Sequence, residues 1–205
     1  MKQILILSAI AASLAFASAC SSAPETATTN KTATTNTTIA NTGTTSAVNT
    51  AKADDTPTAV KAVFPDAQSF TTQHKDIPAD KIASIEKDTS SKVPEKDHHS
   101  YLAFSTAGGA RKQIGAATVV KVGGKDVIIV YDNKDGSPVI KEIRSEGVPA
   151  PFLAQFTGKG HDNDLLLGAD IKASGANEAQ AKAITEAVRV DVLTMQALYG
   201  SSHAH

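Results

Sequence analysis

The chain of 205 residues has one cysteine, no tryptophan and only 4% aromatic residues. A lone thiol can form no internal disulfide. It also excludes a C-x-x-C-H haem attachment, a Cys-ligated iron–sulfur cluster and a thioredoxin-like dithiol. An excess of either charge is missing too. There are 20 Lys+Arg against 21 Asp+Glu, and loss of Lys2 with an amino-terminal signal moves the balance one step further to the negative side. With no basic patch to neutralise a phosphate backbone, nucleic acid is not an expected partner. Internal repeats are not evident either.

The amino terminus carries an export pattern. Lys2 supplies a positive end, and residues 4–16 form an apolar run relieved only by small residues. That run is too short to serve as a permanent membrane-spanning helix. It ends in Ala17-Ser18-Ala19-Cys20, which looks like a lipobox with Ala17 where Leu is more usual. Residues 1–19 are therefore expected to be a lipoprotein signal peptide. Cys20 would be the lipid-modified first residue, anchoring the chain outside the cytoplasm to a bacterial membrane, in the periplasm or at the cell surface. The alternative is a plain secretory signal with an incidental cysteine.

From there to residue 56 the composition is Thr, Asn, Ala and Ser with almost no large apolar side chain. Such a stretch cannot bury enough surface to offset the entropy of ordering, so residues 20–56 are expected to be a disordered tether. Its root-mean-square reach is roughly 30–36 Å, from ~5–6 Å times the square root of its length. Residues 57–205 suffice for one domain with a single core.

Within that domain a short helix is expected over 58–64, stopped by Pro65, and a second over 79–87 behind Pro78, with Ile82 and Ile85 on one face. Residues 90–94 read as loop. Strands are expected at 101–105, 115–122, 127–132 and 139–143, separated by Gly108-Gly109, Gly123-Gly124 and Asn133-Lys134-Asp135-Gly136. Short Gly- and Asp-rich links force neighbouring strands to run antiparallel. The expected fold is α+β, an antiparallel meander sheet packed with helices.

The last long element begins at Glu178. Ile184, Val188, Val192, Met195 and Tyr199 recur at helical spacing, with Ala187 and Leu198 widening the stripe. Asn177 is placed to cap this helix and Gln180 to reach back, a capping-box arrangement. Just ahead lies Ser174-Gly175-Ala176. A small, bare backbone leading into a helix start, where free N–H groups and the positive dipole end converge, can hold a phosphate. Taken alone, such a turn is more often an ordinary cap than a ligand site.

The stretch Asp170-Ile171-Lys172-Ala173-Ser174-Gly175-Ala176-Asn177 resembles the Asp-x-x-x-Ser-Gly-Ala-Thr signature of the FMN-binding domain family. That family includes the flavin-bearing C subunit of sodium-pumping NADH:quinone reductase and the G subunit of the Rnf complex. Phe152-Leu153-Ala154-Gln155-Phe156-Thr157-Gly158-Lys159 is similar to its Phe-Leu-x-Gln-Phe-x-Gly-Lys segment. Val63-Phe64-Pro65-Asp66-Ala67, Phe70 and residues 83–87 resemble an amino-terminal extension in family members that are not pump subunits. The likeness covers about residues 63–192.

The resemblance implies an FMN cofactor. Ser174, Gly175, Ala176 and Asn177 would form its phosphate-end turn, Glu146 and Gly147 would correspond to a loop near the flavin, and Asp170 would be the acidic residue read by a flavin transferase. Family members can esterify FMN phosphate to the Thr. Asn177 has no hydroxyl, so the implied binding is noncovalent. The chain would then be a redox carrier or an accessory to a membrane-bound reductase, with no substrate pocket of its own. The flavin ring would supply the chemistry and, given few aromatics, would stack on a Tyr, a Phe or aliphatic side chains. From another class comes the alternative of a flavin-free binding or structural module that keeps the fold.

The histidines suggest little. His98 and His99 are adjacent, so their side chains diverge on a helix or a strand. His203 and His205 at the tail could bind a metal loosely, but all four read as solvated loop and tail residues, because a metal site needs three or four convergent ligands and no such cluster is visible. No catalytic Ser/His/Asp order or carboxylate pair stands out.

Overall fold

A computed structural model describes residues 55–201. The expected signal, Cys20, nearly all of the tether, and His203 and His205 lie outside the described residues. The chain order is α1 (Thr58–Val63), β1 (Ser69–Asp76), α2 (Ala79–Thr89), β2 (Asp97–Ser105), β3 (Lys112–Val122), β4 (Lys125–Lys134), β5 (Ser137–Ser145), α3 (Ala150–Leu153) with a 3-10 turn (Ala154–Phe156), and α4 (Glu178–Tyr199). The five strands form one sheet in the order β1-β2-β3-β4-β5, and every neighbouring pair is antiparallel. An α+β meander is therefore the architecture.

The middle of β4 shows how the two faces are built. Val127, Ile129 and Tyr131 join a core with α4, while the alternate residues Ile128 and Val130 join a second core with Val60 and Val63 of α1 and with Phe64 just after it. A strand covered on both faces has a continuous apolar run in place of an alternation. On the α1 side the close approach depends on Gly115 of β3. A Cβ there would lie 2.6 Å from Phe64 Cε1, so the ring seats on bare backbone.

Helix α4 closes the other core. Ile184, Val188, Val192 and Met195 are buried, as their spacing predicts. Full burial of one such aliphatic side chain contributes about 1.5–3 kcal/mol. Asn177 caps the start, its Oδ1 accepting from the N–H groups of Ala179 (3.0 Å) and Gln180 (3.4 Å). The expected reciprocal bond from the Gln180 side chain is not among those of the described residues, so the cap is one-sided. At the far end Lys75 of β1 donates to the Leu198 carbonyl at 2.9 Å and lies 4.1 Å from the Tyr199 ring centre. A cation there satisfies a helix-end carbonyl and complements the dipole.

Several expectations shift. β1 was not foreseen as a strand, because an edge strand reading Ser-Phe-Thr-Thr-Gln-His-Lys-Asp has one large apolar residue and no fully buried position. β2 begins at Asp97, so His98 and His99 are strand residues and not loop residues. α2 runs on to Thr89, and α3 with its 3-10 turn was unforeseen. Thr56, assigned to the end of the tether, is buried.

Candidate functional site

Three segments distant in sequence meet at the start of α4. Gln155 Nε2 donates to the Lys172 carbonyl (2.8 Å) and to Ser174 Oγ (2.9 Å), while its Oε1 accepts from Lys172 N–H (2.9 Å). A Cβ on Gly175 would lie 4.0 Å from Pro149 Cβ and Cγ, which places the loop after β5 against the same turn. Ser174 has φ 45 and Gly175 φ 88, so two successive left-handed residues bend the chain into the helix. A side chain at Gly175 would be strained whatever the space around it. Ala176 N–H donates to the Ala173 carbonyl at 2.8 Å.

The other residues expected near a flavin are placed less uniformly. Glu146 is exposed and lines a hollow of about 850 Å³ with Lys125, Asp126, Arg144 and Val148. Cofactor sites commonly occupy ~300–1,000 Å³. A Cβ on Gly147 would lie 3.1 Å from Lys125 Nζ, so a cation stands beside this loop. The Asp170 carboxylate accepts from Leu166 N–H at 3.2 Å, which tightens its own loop ahead of the turn. The hollow and the turn are joined through residues 146–149. Asn177, however, already occupies two of the amide donors that a phosphate at this helix would use.

A second site escaped the sequence reading. β2 and β3 pair only as far as Tyr101 and Ala117, although β2 continues back to Asp97 and β3 forward to Val122. The sheet forks there, and Asp191 of α4 faces the fork. Its Oδ2 accepts from Thr118 Oγ1 (2.6 Å) and Tyr131 OH (2.8 Å), and its Oδ1 lies 3.1 Å from His98 Nε2. The Asp191 side chain is 5% exposed and that of His98 10%. Burial, and then the Asp191 charge, push the Tyr131 hydroxyl well above the ordinary tyrosine range.

Both His98 and Asp191 line a cavity of about 420 Å³, and His98 Nδ1 is buried without a partner. With Nε2 donating to Asp191, Nδ1 is an acceptor able to take a ligand's hydrogen bond. The sequence signal was Asp191 itself, a carboxylate between Val188 and Met195 at helical spacing within an apolar stripe.

On the opposite face of the β1–β2 ladder, His74 and His99 are direct cross-strand partners. Asp97 Oδ2 lies 3.2 Å from His74 Nδ1 and 2.8 Å from His99 Nε2. The His99 and then the His74 hydrogen bond hold the Asp97 carboxyl below its usual range. One donor atom from each of the three lies within 4.8 Å of the others, so the convergence that the sequence did not reveal is present. Among the described residues no helix is long and apolar enough to cross a membrane. Compared with family models, with curated proteins and with solved structures, the chain matches none of them.

Proposed function

We propose that this chain is an exported, lipid-anchored domain that binds FMN noncovalently and takes part in extracytoplasmic electron transfer beside a membrane-bound redox partner. The observation that carries the reading is the meeting of Gln155, the Glu146-Gly147-Val148-Pro149 loop and the Ser174-Gly175-Ala176-Asn177 turn. Of these, Glu146, Gly147 and the four residues of the turn resemble flavin-binding residues, and Gln155 lies in the 152–159 segment that resembles the family without an assigned binding role. Gly175 offers open backbone, Lys125 a cation beside Gly147, and the adjoining hollow has room for a ring. FMN, when bound, would supply reversible electron uptake on its isoalloxazine. The chain's own part is to hold the phosphate end on backbone N–H groups and to shelve the ring against aliphatic side chains such as Val148.

The test is a titration of the purified exported protein with FMN, followed by flavin absorbance and fluorescence. Saturable binding that is weakened in a folded Gly175→Val chain supports the reading, and a colourless protein that leaves added FMN free overturns it. Intact mass after coexpression with a flavin transferase should show no adduct, whereas Asn177→Thr should gain one if the turn is recognised. An adduct on the unaltered chain would make Ser174 the first acceptor to examine.

The second reading is a flavin-free binding or structural module. It is favoured by the self-sufficient Asn177 cap, which already satisfies N–H groups that a phosphate would otherwise pair.

A further inference from the structure

We propose that His74, Asp97 and His99 form a binding site for a divalent transition metal of the zinc class. The register of the β1–β2 ladder creates it. His74 stands directly across from His99, and Asp97 lies two residues before His99, so all three side chains leave the same face. Two donors on one tetrahedral ion with bonds of ~2.0–2.1 Å lie about 3.3 Å apart. The donor atoms here are 3.2 Å and 2.8 Å apart across the two His–Asp contacts, which is within a small adjustment of that spacing. Two imidazoles and one carboxylate form a donor set suited to zinc, leaving one position for water or a ligand. The same imidazoles also suit copper and nickel.

A second observation points to a cation. Asp76 is the direct cross-strand partner of Asp97 at the end of the ladder. Like charges placed opposite one another on a sheet are unfavourable, and a divalent ion between the strands removes that repulsion. The neighbouring Lys75 does not compete, because its ammonium is committed on the other face to the Leu198 carbonyl and the Tyr199 ring. His98 likewise turns away to Asp191, so the adjacent histidines have separate tasks.

The experiment is calorimetric titration of the purified protein with zinc chloride at neutral pH, repeated on His74→Ala, Asp97→Asn and His99→Ala, and on a His203→Ala/His205→Ala chain that removes the tail histidines. Circular dichroism would verify that each chain folds. The expected result is one zinc per chain, with affinity reduced roughly tenfold or more in each ladder variant, at least the loss known for residues that merely support a metal ligand. The tail variant should bind as the unaltered chain does. No zinc binding by the unaltered protein would overturn the proposal, as would binding that survives in the ladder variants and disappears in the tail variant. A parallel copper titration that is also one-to-one and lost in His99→Ala would add that the zinc site accepts other ions suited to imidazole.

Discussion

The two notable regions of α4 are its start and its middle, and they differ in how they hold together. At the start, Asn177 accepts from N–H groups two and three residues ahead. In the middle, Asp191 accepts from Thr118 and Tyr131 and meets His98, residues that are 73, 60 and 93 positions away. The first is a local device at an exposed residue. The second is a buried carboxylate whose partners come from three strands. A local cap can be replaced by water at modest cost, whereas a buried polar cluster loses every bond at once when its centre is removed.

The sharpest test of that difference is Asp191→Ala. It would leave His98 Nε2, Thr118 Oγ1 and Tyr131 OH buried without their acceptor and should cost about 3–5 kcal/mol. Chemical denaturation followed by circular dichroism would measure it. A cost below that of a cap would break the comparison, by showing that water enters the fork and replaces the carboxylate.

Tyr131→Phe should follow, at about 1.5–3 kcal/mol for a lost hydrogen bond to a charged group. It also carries a pH signature. The folded value of Tyr131 is raised above its unfolded value near 10, by burial first and by Asp191 second. The neutral hydroxyl is thus favoured by folding. Its contribution is complete below about pH 10 and is lost as pH rises toward the folded value. Alkaline unfolding should begin above pH 10 in the unaltered chain, and Tyr131→Phe should remove that part of the dependence.

At the helix start, Asn177→Ala should cost about 0.5–2 kcal/mol. If flavin is held at this turn, FMN affinity should fall by more than that loss accounts for, and parallel losses would assign Asn177 to capping alone. The two sites are about 21 Å apart along the helix at ~1.5 Å per residue. The Asn177→Ala/Asp191→Ala double variant should therefore be additive within roughly 0.3–0.5 kcal/mol. The smallest effect is expected from Asn177→Asp, a stabilisation of about 0.3–1 kcal/mol from a carboxylate at the positive end of the dipole, measured by thermal unfolding. The same charge would repel a phosphate, so reduced FMN affinity in this more stable variant would separate binding from capping.

How much of each region was legible follows from the range of its contacts. The cap, the apolar stripe of Ile184, Val188, Val192 and Met195, and the tight links between β3, β4 and β5 depend on residues close in sequence, and they stand where the pattern placed them. β1 was hidden, because an edge strand need not alternate strongly when neither face is fully enclosed. The fork was hidden because nothing near Asp191 in sequence names Thr118, Tyr131 or His98. Nor does anything near His99 announce His74, which only the ladder register brings alongside.

By itself the sequence determined the periodicities, and with them an antiparallel meander, a long amphipathic helix and a capped turn, since hydrogen-bonding rules and side-chain spacing act over a few residues. Tertiary structure alone decided which polar groups share a buried carboxylate, which histidines become neighbours, and which loop lies against Gly175. Those outcomes depend on strand register and on the placement of α4 across the sheet. A shift of one residue in that register would send His74 and His99 to opposite faces while leaving each local pattern unchanged.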